Sequence, residues 1–114
     1  PRYLAAGDAV VLAQSLSAES MGQMPAKLTD AMLMGLPVIA TQISDIPRYL
    51  EGCGILLAAS TPQSIGNAIS LLASNPEDAR TIGNAAREQA LEYLTFDAMF
   101  QRMASEIDRL VLAE

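Results

Sequence analysis

The chain has 114 residues and contains neither histidine nor tryptophan. Without histidine there is no serine–histidine relay, no imidazole general base and few routes to a zinc site. A single cysteine, Cys53, rules out an intrachain disulfide and gives no sign of an oxidising compartment. With only three Tyr and two Phe, a core must be built from Ala, Leu, Ile, Val and Met, as in helices packed on a parallel sheet. Seven Lys and Arg face thirteen Asp and Glu, for a net charge of −6, and no basic run occurs. Nucleic acid is therefore not an expected partner, because binding it requires phosphate neutralisation. A basic membrane-surface helix is equally missing. No apolar run approaches the ~20 residues that cross a bilayer, so no membrane segment is expected in this chain.

What is present is a hydrophobic content of 51%, enough for one domain, arranged in an alternating pattern. Arg2 to Ala6 reads as the last turn of a helix closed by Gly7. Pro1 stands inside that helix end, so the chain is expected to be part of a longer protein. Asp8 to Ala13 reads as a buried parallel strand, and 14–24 as a loop rich in Ser, Glu and Gly. A helix is predicted over 25–34, with Pro25 at its first position and Gly35 as its left-handed stop. Pro37 to Ala40 gives a second strand, and Ser44 is predicted to cap a short helix through Leu50. Gly54 to Leu57 gives a third strand. Thr61-Pro62, Asn75-Pro76 and Thr95 each open a further helix. In the first, Ile65, Ala68, Ile69 and Leu72 form a stripe for the sheet. In the last, Phe96, Met99, Phe100, Met103, Ile107 and Leu110 share one side, most simply a core face. Alternating strands and helices predict an α/β, Rossmann-like fold: a parallel sheet with helices on both faces.

In such folds ligands sit beyond the carboxyl ends of the strands, where helix N-termini point. The loop 14–24 leaves that end of the first strand. Free amides around Gly22 to Ala26 would face a diphosphate with a helix dipole behind them. Lys27 and Asp30, three apart, are neighbours on one helix face: Lys27 would balance phosphate charge and Asp30 would accept from a ribose diol. The same two residues also read as an ordinary solvated pair, Glu19 as a loop carboxylate and Gly22 as a turn residue. No Walker loop or dinucleotide fingerprint is present, and Gly52-Cys53-Gly54 lacks the spacing that would follow. Cys53 reads as inert filler, since no base stands near it in sequence. The methionines Met21, Met24, Met32 and Met34 read as core filling or as the lining of an adaptable pocket.

These residues also carry a resemblance. The segment Tyr3-Leu4-Ala5-Ala6-Gly7-Asp8-Ala9-Val10-Val11-Leu12, then Glu19-Ser20-Met21-Gly22, then the run from Lys27-Leu28-Thr29-Asp30-Ala31-Met32 through Gly35-Leu36-Pro37-Val38-Ile39-Ala40-Thr41 resembles family 4 of the retaining glycosyltransferases with the GT-B fold. The likeness continues through Ile46-Pro47, Gly54 to Leu57, and Asn75-Pro76 to Phe96. It implies that residues 1–114 are the last part of a C-terminal, donor-binding GT-B domain. It implies that 95–114 is a terminal helix packing toward an N-terminal acceptor domain outside this chain, and that part of the 96–110 stripe is exposed and available for homodimer formation. A nucleotide-sugar is the implied partner, used as donor substrate, with no cofactor and no metal.

By the same resemblance Asp30 stands at the second carboxylate of the family's Glu-x7-Glu motif, which holds the ribose, while amides around Met21, Gly22 and Gln23 approach the diphosphate or sugar. The sequence departs from the motif at its first acid. Gly22 stands eight positions before Asp30, and the nearest acid, Glu19, is eleven away. A Pro-x-Lys-Leu-x-acid variant fits Pro25 to Asp30 better. The implied donor-binding set is Glu19, Met21, Gly22, Gln23, Lys27 and Asp30, with the catalytic base outside the chain and the chain alone inactive. The implied location is cytoplasmic, at the inner membrane face in the longer protein. Three other readings compete. A phospho-accepting signalling module lacks an acidic cluster and a Lys after strand 54–57. A sugar-nucleotide epimerase would be expected to use His. A non-catalytic scaffold is kept open by the substituted first Glu.

Overall fold

A computed structural model describes residues 2–14 and 26–113. Three parallel strands form its sheet, in spatial order β1 (Val10–Leu12), β2 (Val38–Thr41) and β3 (Ile55–Leu57). Val10 aligns with Val38, and Ile39 with Ile55. The helices are α1 (Arg2–Ala5), α2 (Ala26–Leu33), α3 (Ile46–Leu50), α4 (Pro62–Ser74), α5 (Pro76–Tyr93) and α6 (Phe96–Leu112). This is the expected α/β architecture with helices on both faces of a parallel sheet.

The alternation of β2 sorts the core into two layers. Val38 and Ala40 face one way, onto Leu28, Ala31 and Met32 of α2 and Ile46 and Leu50 of α3. Ile39 faces the other, with Leu57 of β3 and Ala68 and Leu72 of α4. Every residue of β2 is buried, as a central parallel strand requires. Each fully buried Leu, Ile or Met contributes about 1.5–3 kcal/mol, so β2 and the inner face of α2 carry much of the stability.

Helix α5 belongs to both layers. Its first half, through Ala79 and Ile82, packs with α4, and its second half, through Ala86 and Ala90, packs with α2 and α3. The crossing point is Gly83, buried against the turn from α2 to β2. That turn is built as expected: Gly35 adopts φ +72° and its N–H donates to the Met32 carbonyl at 3.0 Å. A Cβ on Gly83 would collide with the carbonyl oxygen of Gly35 and stand 2.9 Å from its carbonyl carbon and 3.3 Å from Cδ of Pro37. Four residues on, Arg87 Nε donates to the Leu33 carbonyl at 3.2 Å, satisfying one of the orphan carbonyls at the end of α2.

The caps at Thr61 and Thr95 form as predicted, each hydroxyl accepting from the backbone N–H three residues on at 3.1 Å. Ser44 does not cap α3. It sits at φ 52°, and the cap position falls to Asp45, whose side chain makes no capping bond. The left-handed bend at Ser44 lets Ile43 and Ile46, both fully buried, enter the same core. Asn75 also departs from expectation, as its Nδ2 donates back to the Leu71 carbonyl at 3.0 Å and it makes no side-chain cap to α5. β1 is a sheet edge among the described residues, and Val11 is 40% exposed where a buried strand was predicted. Ile69 likewise stays 47% exposed, outside the layer that Ala68 and Leu72 enter.

The core reading of the α6 stripe fails. No α6 residue is buried, and Phe96 and Met103 are 93% and 62% exposed. The helix projects from the body, giving a long axis of 55 Å and a radius of gyration of 15.8 Å, against about 13 Å for a compact chain near this length.

The Gly83 crossing generates a test with its own control. Gly83→Ala is expected to lose about 1–3 kcal/mol in urea unfolding, because overpacking against backbone outweighs the ~1 kcal/mol gain in helix propensity. Gly66→Ala in α4, where a Cβ meets nothing within 4 Å, should be neutral or stabilising. Equal effects at the two positions would contradict the account of the crossing.

Candidate functional site

Because α2 connects two parallel strands, it runs back against them. Its last residues lead into β2 at the amino edge of the sheet, so its start lies toward the carboxyl edge. Leu28, Ala31 and Met32 turn inward, which leaves Lys27 and Asp30 exposed on the outer face. Lys27 stands in the first turn, where the positive end of the helix dipole disfavours a cation by some tenths of a kcal/mol. It makes no ion pair with Asp30: the salt bridge found among the described residues is Arg109–Glu106. The structure thus brings Lys27 and Asp30 to one helix face without pairing them. Glu19, Met21, Gly22 and Gln23 lie outside the described residues.

Beyond the carboxyl ends of the three strands is a cavity of about 270 Å3, lined by Gln14, Thr41, Gln42, Leu57 and the 58–61 loop. Thr41 organises it. Its hydroxyl accepts from the Gln14 N–H at 3.1 Å and donates to the Leu12 carbonyl at 3.5 Å, tying the end of β1 to the end of β2. Gln42 Nε2 reaches the Leu57 carbonyl at 3.5 Å, tying β2 to β3. Gln14 Oε1 is shielded from solvent with no hydrogen-bond partner among the described residues, so it is an acceptor suited to a hydroxyl or amide donor. Sequence reasoning missed Gln14, Thr41 and Gln42. The available signal was positional, since all three follow or end a strand on the ligand side of a parallel sheet.

A larger cavity, about 570 Å3, opens at the opposite, amino edge beside Asp8, Pro37 and Arg80. Size does not decide between them, because in open parallel sheets the ligand crevice lies at the carboxyl ends. Cys53 is buried, and its thiol donates to the Tyr49 carbonyl at 3.2 Å. Burial pushes its pKa up, away from the thiolate a nucleophile needs. Of the methionines among the described residues, Met32 is wholly buried core and Met34 is at the surface.

A family model described as glycosyl transferases group 1 matches residues 1–75. A search of curated proteins finds no match. Among solved structures, sucrose-phosphate synthase from Thermosynechococcus elongatus superposes with a TM-score of 0.73 at 23% identity, covering 98% of this chain and 27% of that one. HepE of Anabaena, crystallised in complex with UDP, superposes with a TM-score of 0.83 at 22% identity, covering 96% of this chain and 29% of that one. HepE in complex with UDP-glucose gives 0.77 at 22%, with the same coverage. These likenesses show the fold, that of a GT-B Rossmann-like domain. This chain spans less than a third of the length of each. Among the described residues, no helix is long and apolar enough to cross a membrane.

The Thr41 tie predicts a specific loss. Thr41→Val keeps the shape but leaves the Leu12 carbonyl and Gln14 N–H without this partner, and should destabilise by about 1–2 kcal/mol. Urea unfolding with an unchanged m-value checks it; unchanged stability would show that the hydroxyl does not join the strand ends.

Proposed function

Since the chain belongs to the group 1 glycosyl transferases, we propose that it is the donor-nucleotide-binding portion of a retaining enzyme. That enzyme transfers a sugar from a nucleoside-diphosphate sugar to an acceptor held by a separate N-terminal domain. The observation that carries this reading is the placement of Lys27 and Asp30, exposed and unpaired with each other, toward the carboxyl-edge end of α2. The HepE complexes with UDP and with UDP-glucose lend support.

In this reading the Asp30 carboxylate accepts from the ribose diol, a task its two acceptor oxygens suit. Lys27 balances diphosphate charge, and a bound anion turns its unfavourable place at the helix start into a favourable one. Backbone amides of Met21, Gly22 and Gln23 approach the diphosphate, and Glu19 reaches the sugar. As the glycosidic bond to phosphate breaks, negative charge develops on the departing nucleoside diphosphate. Helix dipole, amides and Lys27 stabilise that charge without moving. The acceptor and the remaining catalytic groups come from outside residues 1–114, so this chain by itself binds donor and does not turn it over.

An amide-resolved NMR titration with UDP, GDP and ADP tests the reading. Saturable shifts at residues 19–30 are expected with one of the three, weakened roughly tenfold or more in Asp30→Ala. A folded chain whose amides in that segment move with none of the nucleotides would sink the proposal.

A further inference from the structure

Three helices meet in a further cleft of about 270 Å3. It is lined by Arg48 and Tyr49 of α3, Gln89 and Tyr93 of α5, and Arg102 of α6. It shares no residue with the site described above. In a chain of net charge −6 with seven basic residues, two arginines line this one cleft, and no carboxylate does.

Arg48 stands 5.9 Å from the ring centre of Tyr49, and Arg102 5.7 Å from that of Tyr93. A cation at this distance from a tyrosine ring gains a weak attraction, and the planar fork of guanidinium N–H donors suits oxygen acceptors. Arg102 gives one N–H to the Tyr93 carbonyl at the end of α5, which fixes its position further. Arg48 makes no side-chain hydrogen bond among the described residues, and neither arginine is in an ion pair there. Two arginines that line one cleft with no carboxylate among the lining residues suit an anion.

We infer that this cleft binds a small phosphorylated ligand, its phosphate held between Arg48 and Arg102 and its attached group resting against Tyr49, Tyr93 and Gln89. Phosphate is favoured over carboxylate by charge and by oxygen count. A phosphomonoester carries about −1.5 to −2 charges and three acceptor oxygens, enough for guanidinium forks from two walls. A carboxylate, with one charge and two oxygens, is satisfied by a single fork. Occupancy would also tie α6, which buries none of its residues, to α3 and α5.

The test is an NMR titration of the 114-residue chain with inorganic phosphate, and separately with acetate, at matched ionic strength. Saturable shifts are expected at Arg48, Tyr49, Gln89, Tyr93 and Arg102 with phosphate and much weaker ones with acetate. Arg48→Gln is the informative variant, since no described residue depends on its side chain for a hydrogen bond. It should weaken phosphate binding roughly tenfold with an unchanged far-UV CD spectrum. Arg102→Gln should weaken it as well and, by freeing the Tyr93 carbonyl, should speed amide exchange in α6. Absence of saturable shifts at these residues, equal response to acetate, or full phosphate binding by Arg48→Gln would each overturn the assignment.

Discussion

The contact between Gly83 and the Gly35 turn is the constraint from which the rest of the structure follows. Backbone meets backbone there because Gly83 has no Cβ, while Gly35 is needed for its φ of +72° rather than for space. It sets where α5 crosses beneath the amino edge of the sheet, and so which half of α5 serves each core layer. It also seats the end of α2, because Gly35 closes that helix and Arg87 of α5 holds its Leu33 carbonyl. With its C-terminal end clamped and Leu28, Ala31 and Met32 buried, α2 has no freedom to rotate. The outward placement of Lys27 and Asp30 is therefore determined from the opposite end of the helix.

The two edges of the sheet are finished in different ways. At the amino edge, glycine contacts and a proline close the chain down on itself. At the carboxyl edge the strand ends are tied by side chains, Thr41 between β1 and β2 and Gln42 between β2 and β3. Those side-chain ties leave polar groups beside the carboxyl-edge cavity, among them the Gln14 Oε1, which has no partner among the described residues.

Much of this was legible in the sequence where local chemistry decides the outcome. Thr61 and Thr95 cap because a hydroxyl followed by three free N–H groups has little else to do. Gly35 stops α2 because the next strand demands a left-handed turn that few other residues tolerate. The misses arose where one residue serves two elements or where tertiary contact overrides local preference. Asn75 joins two helices and its side chain serves the first of them. Ser44 gives up its cap so that Ile43 and Ile46 can both be buried. Gly83 sits inside a strongly helical segment and carries no local signal at all. Its role exists only once α5 has met the turn after α2. The α6 stripe has the periodicity of a core face, but periodicity reports that a face is apolar, not what covers it. Lys27 and Asp30 were found from their helix position, whereas Gln14, Thr41 and Gln42 needed the sheet to bring three strand ends together.

The central claim is that the carboxyl-edge end of α2 receives the nucleotide. A crystal structure of the chain in complex with UDP tests it most directly. The account predicts the diphosphate at the N-terminal end of α2, with ribose hydroxyls within hydrogen-bond reach of the Asp30 carboxylate. UDP seated in the amino-edge cavity beside Arg80, or between Arg48 and Arg102, with the α2 N-terminus empty, would contradict it.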